Sequence, residues 1–225
     1  MSINDTQSDI TDLIINAFRR DFWLNVQDAL YAKYAAAQEV TVGNILKLGE
    51  PEQRRFRPQA RHYGLNSALR EAASRSGYLC YDADTSPKGE HYIIIDSEGV
   101  KISRIGLNHD ERHIRGAKHR SLIAQLNEKF EGYTPDLFRE EDSKHHNDID
   151  TLGVLLININ PPYHESQASM MDLRIVVPFT NMKGFHYNKS VTELLALYTG
   201  EKKIVIPDMV LPKLKKRLKD QENIE

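Results

Sequence analysis

Tyr78-Leu79-Cys80-Tyr81-Asp82-Ala83, His91-Tyr92-Ile93-Ile94-Ile95-Asp96 and Val100-Lys101-Ile102-Ser103-Arg104-Ile105-Gly106-Leu107 are three short runs rich in β-branched and aromatic residues. Between them stand Thr85-Ser86-Pro87-Lys88-Gly89 and Ser97-Glu98-Gly99, which carry turn chemistry. The pattern predicts a three-stranded antiparallel meander. Leu152 to Asn160 and Asp172 to Pro178 read as two more strands, joined through Pro161-Pro162, and Lys203 to Ile206 as a short further one.

The flanking segments change period. From Ile10 through Leu13, Ile14, Ala17, Phe18, Phe22, Val26, Ala29, Leu30 and Tyr34, apolar residues recur every three or four positions, which predicts one long amphipathic helix near the N-terminus. A basic linker, Gln53 to Tyr63, then precedes a short helix that Asn66 or Ser67 caps and Gly77 ends. Leu122, Ile123, Leu126 and Phe130 predict a helix over 117–130, and a further helix is expected over 190–198. The resulting fold class is α+β, helices packed on a mainly antiparallel sheet of five to six strands. Residues 1–64 are expected to form a helical N-terminal segment with its basic linker. Residues 65–225 are then an α+β core with a mobile acidic loop at 131–150 and a basic tail.

Composition narrows the function classes. The 225 residues carry a net charge of −2, so no global charge draws the chain to polyanions, although local clusters still create fields. The single cysteine, Cys80, excludes an internal disulfide framework and points to the cytoplasm. Secretion and membrane insertion are not expected, because the first twelve residues are polar and no apolar run is long enough to span a bilayer. No Walker loop, dinucleotide fingerprint, Ser-His-Asp pattern or CxxC pair occurs.

One string has the spacing of a metal site: His109-Asp110-Glu111-Arg112-His113-Ile114-Arg115-Gly116-Ala117-Lys118-His119. On a helix His109 and His113 share a face, and a glycine turn brings in His119, leaving an open position suited to catalytic zinc. The eleven residues resemble the metzincin metalloprotease signature. That resemblance implies a zinc-dependent hydrolase with Asp110 as the general base, where the family has a glutamate. The charged residues Glu111, Arg112 and Arg115 depart from the family's apolar helix. Glu71, Asp84, Asp96, Glu98 and Lys101 offer the residue types of a PD-(D/E)xK nuclease, but no acid-x-Lys triplet stands on a strand.

A second constellation is cationic. Arg54, Arg55, Arg57 and Arg61 stand in one segment and Arg112, Arg115, Lys118, His119 and Arg120 in another, with Phe56 and Tyr63 close by. Arginines interleaved with aromatics suit phosphates and stacked bases. Asn158 and Asn160 alternate with isoleucines and so share one sheet face, a candidate polar groove. The basic run Lys213 to Lys219 offers a further phosphate or protein contact. The leading expectation is a non-catalytic binding or regulatory protein without metal or cofactor, touching nucleic acid through Arg54, Arg55, Arg57, Arg61, Arg112, Arg115, Lys118 and Arg120. The alternatives are the zinc hydrolase and a protein–protein interaction module that presents its first helix or a hairpin edge.

Overall fold

The computed structural model of the protein describes residues 3–85, 89–111, 113–131 and 151–198. Six strands lie side by side in chain order: β1 (Leu79–Asp84), β2 (His91–Ser97), β3 (Val100–Asn108), β4 (Leu152–Asn160), β5 (Asp172–Pro178) and β6 (Phe185–Ser190). All neighbours are antiparallel except β3 and β4, which run parallel and are joined by a crossover carrying α4 (Lys118–Gln125). The architecture is α+β. The expected meander closes through Glu98 at φ 47° and Gly99 at φ 84°, the paired left-handed residues of a tight two-residue hairpin turn.

Helices α1 (Ile3–Ala17), α2 (Arg20–Val42), α3 (Glu50–Ser76) and α5 (Val191–Leu197) cover one face of the sheet, and α4 covers the other. The larger core lies under the four helices, where Phe18, Phe22, Trp23 and Leu65 meet Ile95, Ile102, Val154 and Ile175. A smaller core of Ile105, Leu107, Ile123, Leu155 and Ile157 holds α4. Among the described residues, no helix is long and apolar enough to cross a membrane.

Two helical expectations are corrected. The N-terminal helix is broken at Phe18-Arg19, because the Arg19 backbone turns extended and its N–H donates to the Tyr78 hydroxyl at 2.8 Å. The stripe of buried residues continues across this break. The basic segment over 53–63 is not a linker but the first half of α3, which runs unbroken from Glu50 to its left-handed cap at Gly77. Arginine is a good helix former, and Pro58 removes only one turn's hydrogen bond from a 27-residue helix. The division expected at 64/65 thus falls inside α3. Strand β6 had no expected counterpart. The strand over 203–206, the acidic loop over 132–150 and the basic tail lie outside the described residues.

Candidate functional site

Along α3, one stripe of positions faces the sheet, and its chemistry changes halfway. Toward Gly77 it consists of Leu65, Ala68, Leu69, Ala72 and Ala73, and toward Glu50 of Arg57 and Arg61, all buried. The sheet beneath changes in step. On β3 and β4 the face under α3 begins with Val100, Ile102, Leu152, Val154 and Leu156, and continues as Arg104, Gly106, Asn108, Asn158 and Asn160. A polar floor therefore lies at the carboxyl ends of the two parallel strands, under the arginine half of α3. In open α/β sheets, ligands characteristically bind at such strand ends.

Two adjoining cavities open there, of about 410 and 830 Å³, sharing Pro58, Arg61, Asn108 and Asn160 as lining. The smaller is walled by Arg54, Arg57 and Tyr163, and the larger by His62, Tyr63, His91, Tyr92 and the first turn of α4 with Lys118, His119 and Arg120. Together they form one groove along α3. Six permanent cations, Arg54, Arg57, Arg61, Arg104, Lys118 and Arg120, line it against two carboxylates, Glu90 and Asp110.

The partners of the deep arginines decide its character. Arg57, Arg61 and Arg104 are only 7, 8 and 6% exposed. Arg57 Nε donates to Gln38 Oε1 at 2.9 Å, and Arg61 Nη2 donates to the backbone and side-chain oxygens of Gln167 at 2.7 and 3.0 Å. Arg104 donates from Nε and Nη2 to Asn66 Oδ1 at 3.1 and 2.8 Å, and from Nη1 to Asn158 Oδ1 at 2.8 Å. Among the described residues, no carboxylate lies within ion-pair distance of any of the three. Each is held by neutral oxygens. Burial alone pushes the Arg104 guanidinium well below its ordinary value, to about 10.

Neutral side chains link these cations. Asn158 Nδ2 donates to Asn160 Oδ1 at 3.2 Å, which also accepts from the Tyr34 hydroxyl at 3.0 Å. Arg61 lies over the Tyr34 ring at 4.1 Å. Burial pushes the Tyr34 phenol up to about 12, against the opposing pull of Arg61 and Arg57, so it stays a neutral donor. Gly106 leaves room for the Asn158 amide, since a Cβ there would stand 3.2 Å from Nδ2. Rings complete the rim: Arg54 and Arg57 lie 4.7 and 5.6 Å from the centre of the half-exposed Tyr163 ring, and the partly buried His119 stacks on Tyr92 at 4.6 Å.

Comparison with protein-family models, with curated proteins and with solved structures finds no match.

The geometry sorts the candidate residues. Of the eight basic positions, Arg54, Arg57, Arg61, Lys118 and Arg120 line the groove. Arg55 and Arg115 do not line it, Arg115 pairing with Glu111 at 2.6 Å as Arg54 does with Glu50, and Arg112 lies outside the described residues. Asn158 and Asn160 form the floor, as their alternation predicted. Arg104, Asn66, His62, His91 and Tyr163 were not singled out, because only the fold brings them together. The histidine string is not a helix. His109 sits in a turn, His113 in a bend followed by irregular chain, and His119 is the second residue of α4. Among the described residues, no group of three His, Cys, Asp or Glu side chains is arranged to hold a metal ion. The nuclease-type acids are also dispersed, with Asp96 paired to Lys101 at 3.4 Å across the hairpin and Glu71 to Arg75 on α3.

Histidines give the groove a pH dependence. An arginine can only donate, so His62 Nδ1 accepts from Arg104 Nη2 at 3.2 Å, while Nε2 lies 3.3 Å from Asn66 Nδ2 and 4.0 Å from Glu90. Burial first, and then the Arg104 charge and His91, push His62 down, outweighing Glu90. Burial, Arg120 and His62 push His119 down likewise, and burial does so at His186 against Glu131. A histidine with a folded pKa below its unfolded value binds fewer protons when folded, so its stabilisation is full above about pH 6.5 and falls as pH drops below it. The melting temperature is expected to decline from pH 7.5 to 5.5. A polyanionic ligand should reverse the sign at His62 and His119, so that binding takes up protons, which titration calorimetry in buffers of different ionisation enthalpy measures. Binding that releases protons over this range would refute the assignment.

Proposed function

We propose that this protein is a non-catalytic nucleic-acid-binding protein that takes a strand along the α3 groove. Three buried guanidinium groups with no carboxylate at ion-pair distance among the described residues, held by neutral oxygens and, at Arg104, also by His62 Nδ1, carry this reading. A buried charge without a counter-charge is costly, and a ligand phosphate entering the groove offsets that cost. Arg104 would meet phosphates from the floor, Arg57 and Arg61 from α3 above it, Arg54, Lys118 and Arg120 from the rim, and Tyr63 and Tyr163 offer faces for bases. Net charge near zero overall and cations concentrated in one groove suit a site-directed, not a diffuse, contact with a polyanion. A lone, half-buried Cys80 suits the reducing cytoplasm in which we propose the protein acts.

Fluorescence anisotropy with short labelled single strands and duplexes, at salt stepped from about 50 to 200 mM, tests the reading. Each phosphate neutralised on a single strand contributes a slope of about −0.7 to log K against log salt, so six contacts predict a slope of about −4. Arg57→Gln is expected to reduce that slope by about 0.7 and weaken binding across sequences alike. Affinity indifferent to salt, or no binding of any oligonucleotide, would remove the proposal.

A further inference from the structure

Arg54 and Arg57, near one end of the groove, stand beside the half-exposed Tyr163, but Arg104 stands elsewhere. It lines the larger cavity from the floor, 6% exposed, on the sheet strand beneath α3. A phosphate within a continuous strand carries a sugar on each side, whereas a terminal phosphate projects from its molecule with a sugar on one side only and so reaches a deep guanidinium with less of the strand drawn in. We infer that the Arg104 end of the groove is a seat for a terminal phosphate, the phosphorylated end of the strand whose body lies along α3, an inference that rests on the nucleic-acid reading above.

Three observations converge on that seat. Asn66 holds Nε and Nη2 from one side, with His62 Nδ1 and its carbonyl oxygen also at Nη2, while Asn158 takes Nη1, leaving the second Nη1 hydrogen for a ligand. The guanidinium fork is thus locked in orientation by neutral groups that do not compete for an anion's place. Lys118 and His119 of α4 and His62 of α3 line the same cavity, so cationic and protonatable groups surround the floor on several sides. Glu90 is the one carboxylate among the lining residues, and it lies at His62 Nε2 rather than at Arg104. A terminal phosphate also carries about −1.5 to −2 near neutral pH, against −1 for a backbone diester, because its second ionisation falls near pH 6. The seat offers the better-matched charge to the end group. The cavity's 830 Å³ is within the usual range for burying one nucleotide-sized group.

The test is a competition measurement on the wild-type chain with four probes: one oligonucleotide bearing a 5′-phosphate, the same strand bearing a 3′-phosphate, the same strand with hydroxyls at both ends, and adenosine 5′-monophosphate alone. One phosphorylated end is expected to bind at least about tenfold tighter than the hydroxyl-ended strand, an effect of the size of one charge-assisted hydrogen-bonded contact. That preference should shrink to within about threefold in Arg104→Lys, which keeps the charge and loses the fork, and in Asn158→Ala, which frees Nη1. Equal affinity for all three strands would overturn the terminal-phosphate seat and leave the groove reading standing. No binding by any strand would overturn both. Monophosphate competing as strongly as the strand would support the seat while overturning the strand path along α3. A preference that survives both substitutions would overturn Arg104 as its source.

Discussion

Arg104→Met is expected to weaken binding of phosphate-bearing ligands by about 30-fold to 5,000-fold while moving the melting temperature by no more than about 10 °C. The binding loss follows from truncating one partner of a buried, hydrogen-bonded charge pair, about 2 to 5 kcal/mol. The small stability change comes from opposing effects. The guanidinium is charged in both folded and unfolded chains at neutral pH, and burial that lowers it to about 10 costs the folded state roughly 3 kcal/mol. This cost is present throughout the range below the folded value and is relieved only above it. Methionine removes it, but leaves the Asn66 and Asn158 oxygens without their donor, at about 1 to 3 kcal/mol each. The two effects offset each other to within a few kcal/mol, and for a chain of this size 1 kcal/mol shifts melting by about 2 to 4 °C. Thermal denaturation and anisotropy on the same preparation check the pair of results. A variant that binds as tightly as the parent would assign Arg104 a structural role only.

That outcome bears on why the groove was only half visible in the sequence. Arg54, Arg57 and Arg61 are legible as a cationic cluster along the chain, yet their spacing predicts a linker. The buried stripe of α3 runs through Arg57 and Arg61 into Leu65, Ala68, Leu69 and Ala72, so its first half offers no apolar period to detect. A helix whose inward face is cationic looks, to a search for hydrophobic periodicity, like no helix. Arg104 was hidden for the complementary reason. It alternates correctly with Ile105 and Leu107 as an outward residue of a half-buried strand, and only α3 crossing above it turns that face inward.

The strands were easier because their signal is local. β-branched runs bounded by turn residues fixed β1 to β5 within two residues of their observed ends, whereas Phe185-His186-Tyr187-Asn188-Lys189-Ser190 has one buried side chain and pairs with β5 only through tertiary register. The histidine string shows the opposite failure, a spacing that means a metal site only on a continuous helix. Here His109 and His113 lie in turn and bend and only His119 is helical, so the four-residue period loses its meaning. Asn158 and Asn160 were placed correctly because strand alternation holds whatever the side chains are.

Gly153→Ala is expected to have the largest effect on the fold and, through it, on the groove. A Cβ at Gly153 would stand 1.9 Å from the Ile123 carbonyl oxygen and 2.8 Å from its carbon, both backbone atoms of α4. No rotamer change relieves such a contact, so α4 must lift from β4. Asn127, fully buried, would lose its register too. Its Nδ2 donates to the Gly153 and Pro178 carbonyls at 3.0 Å each, and its Oδ1 accepts from the Gly153 N–H at 2.8 Å, tying the end of the α4 segment to β4 and β5. Overpacking typically costs about 1 to 3 kcal/mol where side chains yield, and here backbone must move, so a loss at or above about 3 kcal/mol is expected, seen as a fall of roughly 6 °C or more in melting temperature. Because Lys118, His119 and Arg120 stand on the first turn of the displaced helix, oligonucleotide affinity should fall as well, with a shallower salt slope than the parent's. Ile123→Ala removes side-chain packing but leaves the carbonyl in place, so it should destabilise the chain while preserving the slope. A Gly153→Ala chain that melts with the parent and binds with an unchanged slope would show that α4 neither docks at Gly153 nor supplies cations to the groove.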